Sequence, residues 1–234
     1  MNKGLTNVVW GLAVGAGGTV AGYAGLVAWH RMRYGKAAVA AEAGHCGLLD
    51  RFIPTPEVVE HHHIAIAAPA DVVLEAAKAM RMMDSPMVRG IFKARELVLG
   101  GEPDTRVHPP ALFEQMQSIG WVVLAERPGR EVVMGAATIP WHANPVFRSV
   151  PRGEFEAFRV PGYVKIAWSL RAEPDGDDRA IFHTETRVST TDPAARDQFR
   201  RYWSYVAPGV ELIRLAILRP LKREAERRVQ FAVA

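Results

Sequence analysis

This 234-residue chain has a single cysteine, Cys46. One thiol forms no internal disulfide, so the fold has no covalent staple, as expected of a reducing compartment. Cys46 follows His45 in an Ala/Gly-rich stretch that reads as linker, with no nucleophile context. The chain also lacks a glycine-rich phosphate loop and a nucleophile elbow. No internal repeat and no low-complexity tract occur. Nor is there a concentrated basic stripe. Lys and Arg number 29 against 25 Asp and Glu, a formal charge of +4. The surplus lies partly at Arg31, Arg33 and Lys36 and partly near the end, at Arg219, Lys222, Arg223, Arg227 and Arg228. Such faces are solvated, and nucleic acid is not an expected partner.

Long apolar runs are also scarce, with one exception. Asn7 to Trp29 carries no charged side chain, and Arg31, Arg33 and Lys36 follow at once. At roughly 1.5 Å per residue, a helix of that length spans about 30 Å of hydrocarbon. Trp10, Tyr23 and Trp29 lie towards its ends, as interfacial aromatics do. The reading is an N-terminal transmembrane anchor over residues 1–30, with the membrane as a partner. A cleaved signal peptide and a buried helix are the alternatives. The cations after the run place the following domain on the cytoplasmic side of a single-pass membrane protein.

Residues 31–56 read as a linker ending in Pro54 and Pro56, and residues 57–230 as one domain large enough for its own core. Strand-like sequence from Val58 to Ala67 is closed by Pro69, and Asp71 is a candidate cap for a helix over 72–83. Ser85-Pro86 opens a second helix to Leu99, and a short one covers 111–118. Strands over 121–126 and 131–138 flank the turn Arg127-Pro128-Gly129-Arg130. A short strand is expected near 155–160. Strands over 163–172 and 180–190 alternate: Ile166, Trp168, Thr184 and Thr186 share one face, while Lys165, Arg171, His183, Glu185 and Arg187 share the charged one. Asp192-Pro193 starts a final helix to about Arg228, with interruptions expected at Pro208-Gly209 and Pro220.

The phrase Ile64 to Val73, together with the order strand, two helices, antiparallel strands and one long last helix, resembles the SRPBCC superfamily of START-like, polyketide-cyclase-like proteins. The stretches 120–135 and 161–187 and the run Arg200-Arg201-Tyr202-Trp203 are similar to uncharacterised bacterial members. The resemblance implies an α+β helix-grip fold: an antiparallel sheet wrapped around the C-terminal helix, with an apolar cavity between them. It implies a hydrophobic small molecule or lipid as partner. It carries over no catalytic residue, because the superfamily has no universal catalytic motif.

If the apolar sheet face meets the last helix, Met134, Ile166, Trp168, Thr184, Thr186 and Trp203 border the space between them. The two threonines are the only polar groups expected there. The competing reading is that all six simply fill a core. His61-His62-His63 splits across two strand faces and reads as strand histidines, not a metal site. The row His183, Glu185 and Arg187 reads as cross-strand ion pairing. His142 reads as a solvated loop residue. No metal and no cofactor are expected, and no carboxylate or histidine is expected to face inward. A ligand-binding module is therefore favoured over a cyclase-, aromatase- or dehydratase-type enzyme. A structural member of a membrane complex is a third class.

Overall fold

The computed structural model describes residues 47–102 and 105–233. Alternation after Pro56 becomes β1 (Val58–Ile66). Pro69 then leads into α1 (Ala70–Lys78), with Asp71 in the first turn, where it suits the helix dipole, and not at the cap. The next helix, α2 (Pro86–Leu99), has the expected start. Ser85 accepts a hydrogen bond from the Val88 N–H at 3.4 Å, and Pro86 takes the first position. Gly100, at φ 67°, ends it in the left-handed conformation that a side chain resists.

After α3 (Leu112–Ser118) the chain forms the hairpin of β2 (Val122–Arg127) and β3 (Glu131–Thr138). A short α4 (Arg152–Phe155) stands where a strand is expected near 155–160. Phe155 explains the difference: its ring is fully buried against the sheet, which a helical turn permits. Then come β4 (Val164–Pro174), β5 (Ala180–Thr190) and α5 (Pro193–Val233). Asp192 caps α5 by accepting from the Ala195 N–H at 2.9 Å. The helix continues through Pro208 and Pro220, contrary to the expected interruptions. Each proline removes one hydrogen bond, but packing on β1, α1 and α2 holds the rest of the helix in register.

The five strands form one antiparallel sheet in the order β1-β5-β4-β3-β2. Helices α1 and α5 cover its inner face, and α2 packs on α5. The fold is α+β with a long C-terminal helix laid on the sheet, the helix-grip arrangement.

The outer face is covered as well. Leu49, Phe52 and Ile53, in the stretch expected to be linker, are buried there with Leu124, Val133, Phe155 and Ala167. Burial of each such side chain contributes about 1.5–3 kcal/mol, so the folded unit takes in part of residues 31–56. Gly135 is needed on this face. A Cβ there would lie 2.5 Å from Leu124 Cδ1 and 2.8 Å from the Phe155 ring.

The apolar run 7–29 lies outside the described residues. Among the described residues no helix is long and apolar enough to cross a membrane. The assignment of the protein as a single-pass membrane protein with a cytoplasmic domain is corrected accordingly.

Candidate functional site

Strand parity and register build the site. On the inner face Trp168 pairs with Met134 on one side and Thr186 on the other, and Ile166 pairs with Val188. The same register carries on to the edge strand, where Glu60 stands opposite Thr186 and His62 opposite Thr184. Because strand side chains alternate, Glu60, His62 and Ile64 share the inner face with Trp168, while His61 and His63 point outward. A carboxylate and a histidine do face inward, which corrects the expectation that neither does.

The helix supplies the third ionisable group. Arg214 of α5 donates to Thr186 Oγ1 at 2.5 Å and, at a longer 3.4 Å, to Thr184 Oγ1. Its guanidinium carbon lies 5.4 Å from the centroid of the Trp168 ring, a cation–π distance. Trp168 Nε1–H also donates to Thr184 Oγ1, at 2.8 Å. Burial lowers the Arg214 pKa to about 10, against an opposing pull from Glu60. The group still carries its charge at neutral pH. His62 lies 3.8 Å from Glu60 through its Nε2, and that nitrogen makes no hydrogen bond. Burial, helped by the charge of Arg214, holds its pKa below the usual histidine value. At neutral pH it is therefore a neutral imidazole able to take up a proton.

Of the six residues expected at the space, the structure brings Ile166, Trp168, Thr184 and Thr186 together. Met134 is fully buried beside Trp168, its partner on the neighbouring strand. Trp203 belongs to a separate cluster with Val58, Val188 and Phe199, where it stacks on Phe199 at 5.6 Å. Ile166 lies between the two clusters and packs against both.

A cleft of about 540 Å³ opens nearby, between α2 (Phe92, Arg95), the chain around Glu102 and Arg106, and the loop 143–147. Phe147 on its wall meets Trp121 at 5.6 Å, and Trp121 meets Trp168 edge-on at 6.5 Å. An aromatic path thus joins the cleft to the Arg214 group. Arg95 ties the cleft wall together by donating to the carbonyls of Pro140 and His142; His142 takes part through its backbone. Among the described residues no three His, Cys, Asp or Glu side chains are placed to hold a metal ion.

The charged face has a different character. His61, His63 and His183 stack near the outer edge, with His183 Nε2 at 3.2 Å from Glu173. Glu185 and Arg187 are fully buried under residues 49–53 and are not solvated. Arg187 pairs with Glu185 at 2.6 Å and Asp50 at 2.5 Å, and donates to the Ile53 carbonyl at 3.1 Å.

Glu60, His62 and Arg214 escaped the sequence reading, although signals for them exist. The pattern Glu60-x-His62-x-Ile64-x-Ile66 puts two polar side chains on the same face as two isoleucines. Arg214 lies four residues after Val210 and three before Ile217, on the apolar stripe of its helix.

No family model and no curated protein matches the chain. Among solved structures, a point mutant of norcoclaurine synthase from Thalictrum flavum is 12% identical, covers 76% of this chain and 96% of its own, and has a TM-score of 0.34. The ZhuI aromatase/cyclase from Streptomyces sp. R1128 is 16% identical over 74% of this chain and 95% of its own, with a TM-score of 0.25. A START superfamily protein from Mycobacterium smegmatis is 8% identical over 65% and 94%, with a TM-score of 0.22. Likeness at this level fixes neither a ligand nor a reaction.

Proposed function

We propose that this protein holds an apolar small molecule between the sheet and α5, entered from the cleft beside α2. The observation that supports this best is Ile166. It stands on the central strand, on the face that α1 and α5 cover, yet it is only partly buried. Closely packed layers leave a residue in that place almost no accessible area. The area that remains on Ile166 is room. Apolar walls with a few placed polar groups are the usual make-up of a small-molecule site. Ile166 and Trp168 supply the walls; Thr184, Thr186 and Arg214 supply the polar groups. The test is a fluorescence titration of the full chain with N-phenyl-1-naphthylamine, a neutral apolar probe. Native mass spectrometry of the purified protein would look in parallel for a molecule carried along with it. Saturable one-site binding supports the reading, and its absence overturns it.

His62 favours a second reading, an enzyme that moves a proton on a carbonyl compound, as a cyclase or dehydratase does. A neutral imidazole beside a carboxylate, with a guanidinium near enough to stabilise a developing oxyanion, is equipped for that step. The check is solvent deuterium exchange into the methyl group of acetophenone, followed by NMR. Exchange by the wild type that His62→Gln abolishes supports the enzyme, and wild-type exchange at the buffer rate removes it.

A further inference from the structure

The inner site is unusual in what it leaves unmatched. Thr184 Oγ1 already accepts from Trp168 Nε1–H and from Arg214, so its own O–H must donate elsewhere. Thr186 Oγ1 accepts from Arg214 and is in the same position. Neither hydroxyl donates to an acceptor among the described residues. Arg214 has five N–H groups. The two threonines take two of them, and no carboxylate among the described residues forms an ion pair with it. Glu60 acts on Arg214 as a charge at a distance, and its nearer neighbour is His62 at 3.8 Å. Three side chains thus present surplus donors, one of them cationic, to a single partly desolvated spot. Dipoles of hydroxyls alone do not compensate a desolvated guanidinium.

The geometry points to a ligand that is apolar for most of its length and ends in one anionic oxygen group, a carboxylate or phenolate, held by Arg214 with Thr184 and Thr186. This rests on the ligand-holding reading above and adds the chemistry of the ligand's polar end. The planar guanidinium fits such a group with two parallel N–H bonds, and each threonine O–H adds one more donor. Trp168 beneath the guanidinium fixes its plane, so little freedom is lost on binding. The apolar remainder extends over Ile166 or along Trp168 and Trp121 towards the cleft.

The test uses two probes with one scaffold. 8-Anilinonaphthalene-1-sulfonate carries an anionic group, and N-phenyl-1-naphthylamine lacks it. Both are titrated into the full chain and into the Arg214→Met variant. A charge-assisted bond of this type is worth about tenfold or more in affinity. The wild type is therefore expected to bind the sulfonate at least about tenfold more tightly than the neutral probe, and Arg214→Met to bring the two to parity while keeping the neutral probe. Equal binding of both probes by the wild type overturns the anionic end and leaves the ligand-holding reading intact. Binding of neither overturns both. If Arg214→Met loses the neutral probe as well, the comparison passes to the Thr184→Val/Thr186→Val double variant. A selective loss of the sulfonate by about threefold or more then supports the assignment, and unchanged selectivity overturns it.

Discussion

The two faces of the sheet both bury charge, and they do so differently. On the outer face, Arg187 and Glu185 are wholly enclosed, and the guanidinium is matched: it meets two carboxylates and a carbonyl. Lys165 there donates to the carbonyls of Phe155 and Glu156. On the inner face, Arg214 meets two hydroxyls and an aromatic ring, His62 Nε2 makes no hydrogen bond, and Ile166 keeps accessible area. A matched buried network fixes how a covering segment lies on a sheet. An unmatched one beside open space is arranged for something that arrives later. Counting buried charges would rank the outer face as the more functional; the accessible area left on Ile166 singles out the inner one.

The comparison breaks most visibly at Arg187. Arg187→Met leaves Glu185 enclosed without its partner and frees Asp50. It should destabilise the fold by about 3–5 kcal/mol, read as a lower urea midpoint, without changing which probe is preferred. Arg214→Met is the counterpart. It removes a desolvated cation whose loss strands no enclosed carboxylate, so its urea midpoint should stay within about 1 kcal/mol of the wild type or rise. If Arg214→Met costs as much as Arg187→Met, the two faces are alike and the distinction fails.

A smaller effect concerns the outer histidines. Burial, followed by the charge of Arg171, lowers the His183 pKa to about 4 against the pull of Glu173. A histidine whose pKa is lower in the folded state than in the unfolded chain binds fewer protons when folded. Between the two values the unfolded state therefore gains protons first, and stability falls as pH drops from about 6.5 to about 4. Thermal unfolding at several pH values should show that slope, and His183→Gln should flatten it. An unchanged slope would assign it to other groups.

Much of the framework is legible in the residues themselves. The alternation of Ile166 and Trp168 against Lys165 gives the faces of β4, and Thr184 and Thr186 against Glu185 and Arg187 those of β5. The turn Arg127 to Arg130 gives the β2–β3 hairpin, and Asp192-Pro193 the start of the last helix. Periodicity and capping are local, so they survive in a single sequence. What covers each face is not local. Leu49, Phe52 and Ile53 follow an Ala/Gly-rich stretch and read as linker until the sheet is there to bury them. Glu60 and His62 become inward only once β1 is known to pair with β5. Arg214 reads as a charge on a helix until Thr184 and Thr186 are placed beneath it. Half of the candidate site was therefore visible as strand parity, and its ionisable half needed the tertiary contact.

The central claim is room over Ile166, and Ile166→Phe measures it most directly. If the space is there, the larger ring fills it. Stability should then stay within about 1 kcal/mol of the wild type, and binding of N-phenyl-1-naphthylamine should weaken by about tenfold or more. A loss of about 2 kcal/mol or more in the urea midpoint with probe binding unchanged would show a packed interface at that position, and would contradict the account.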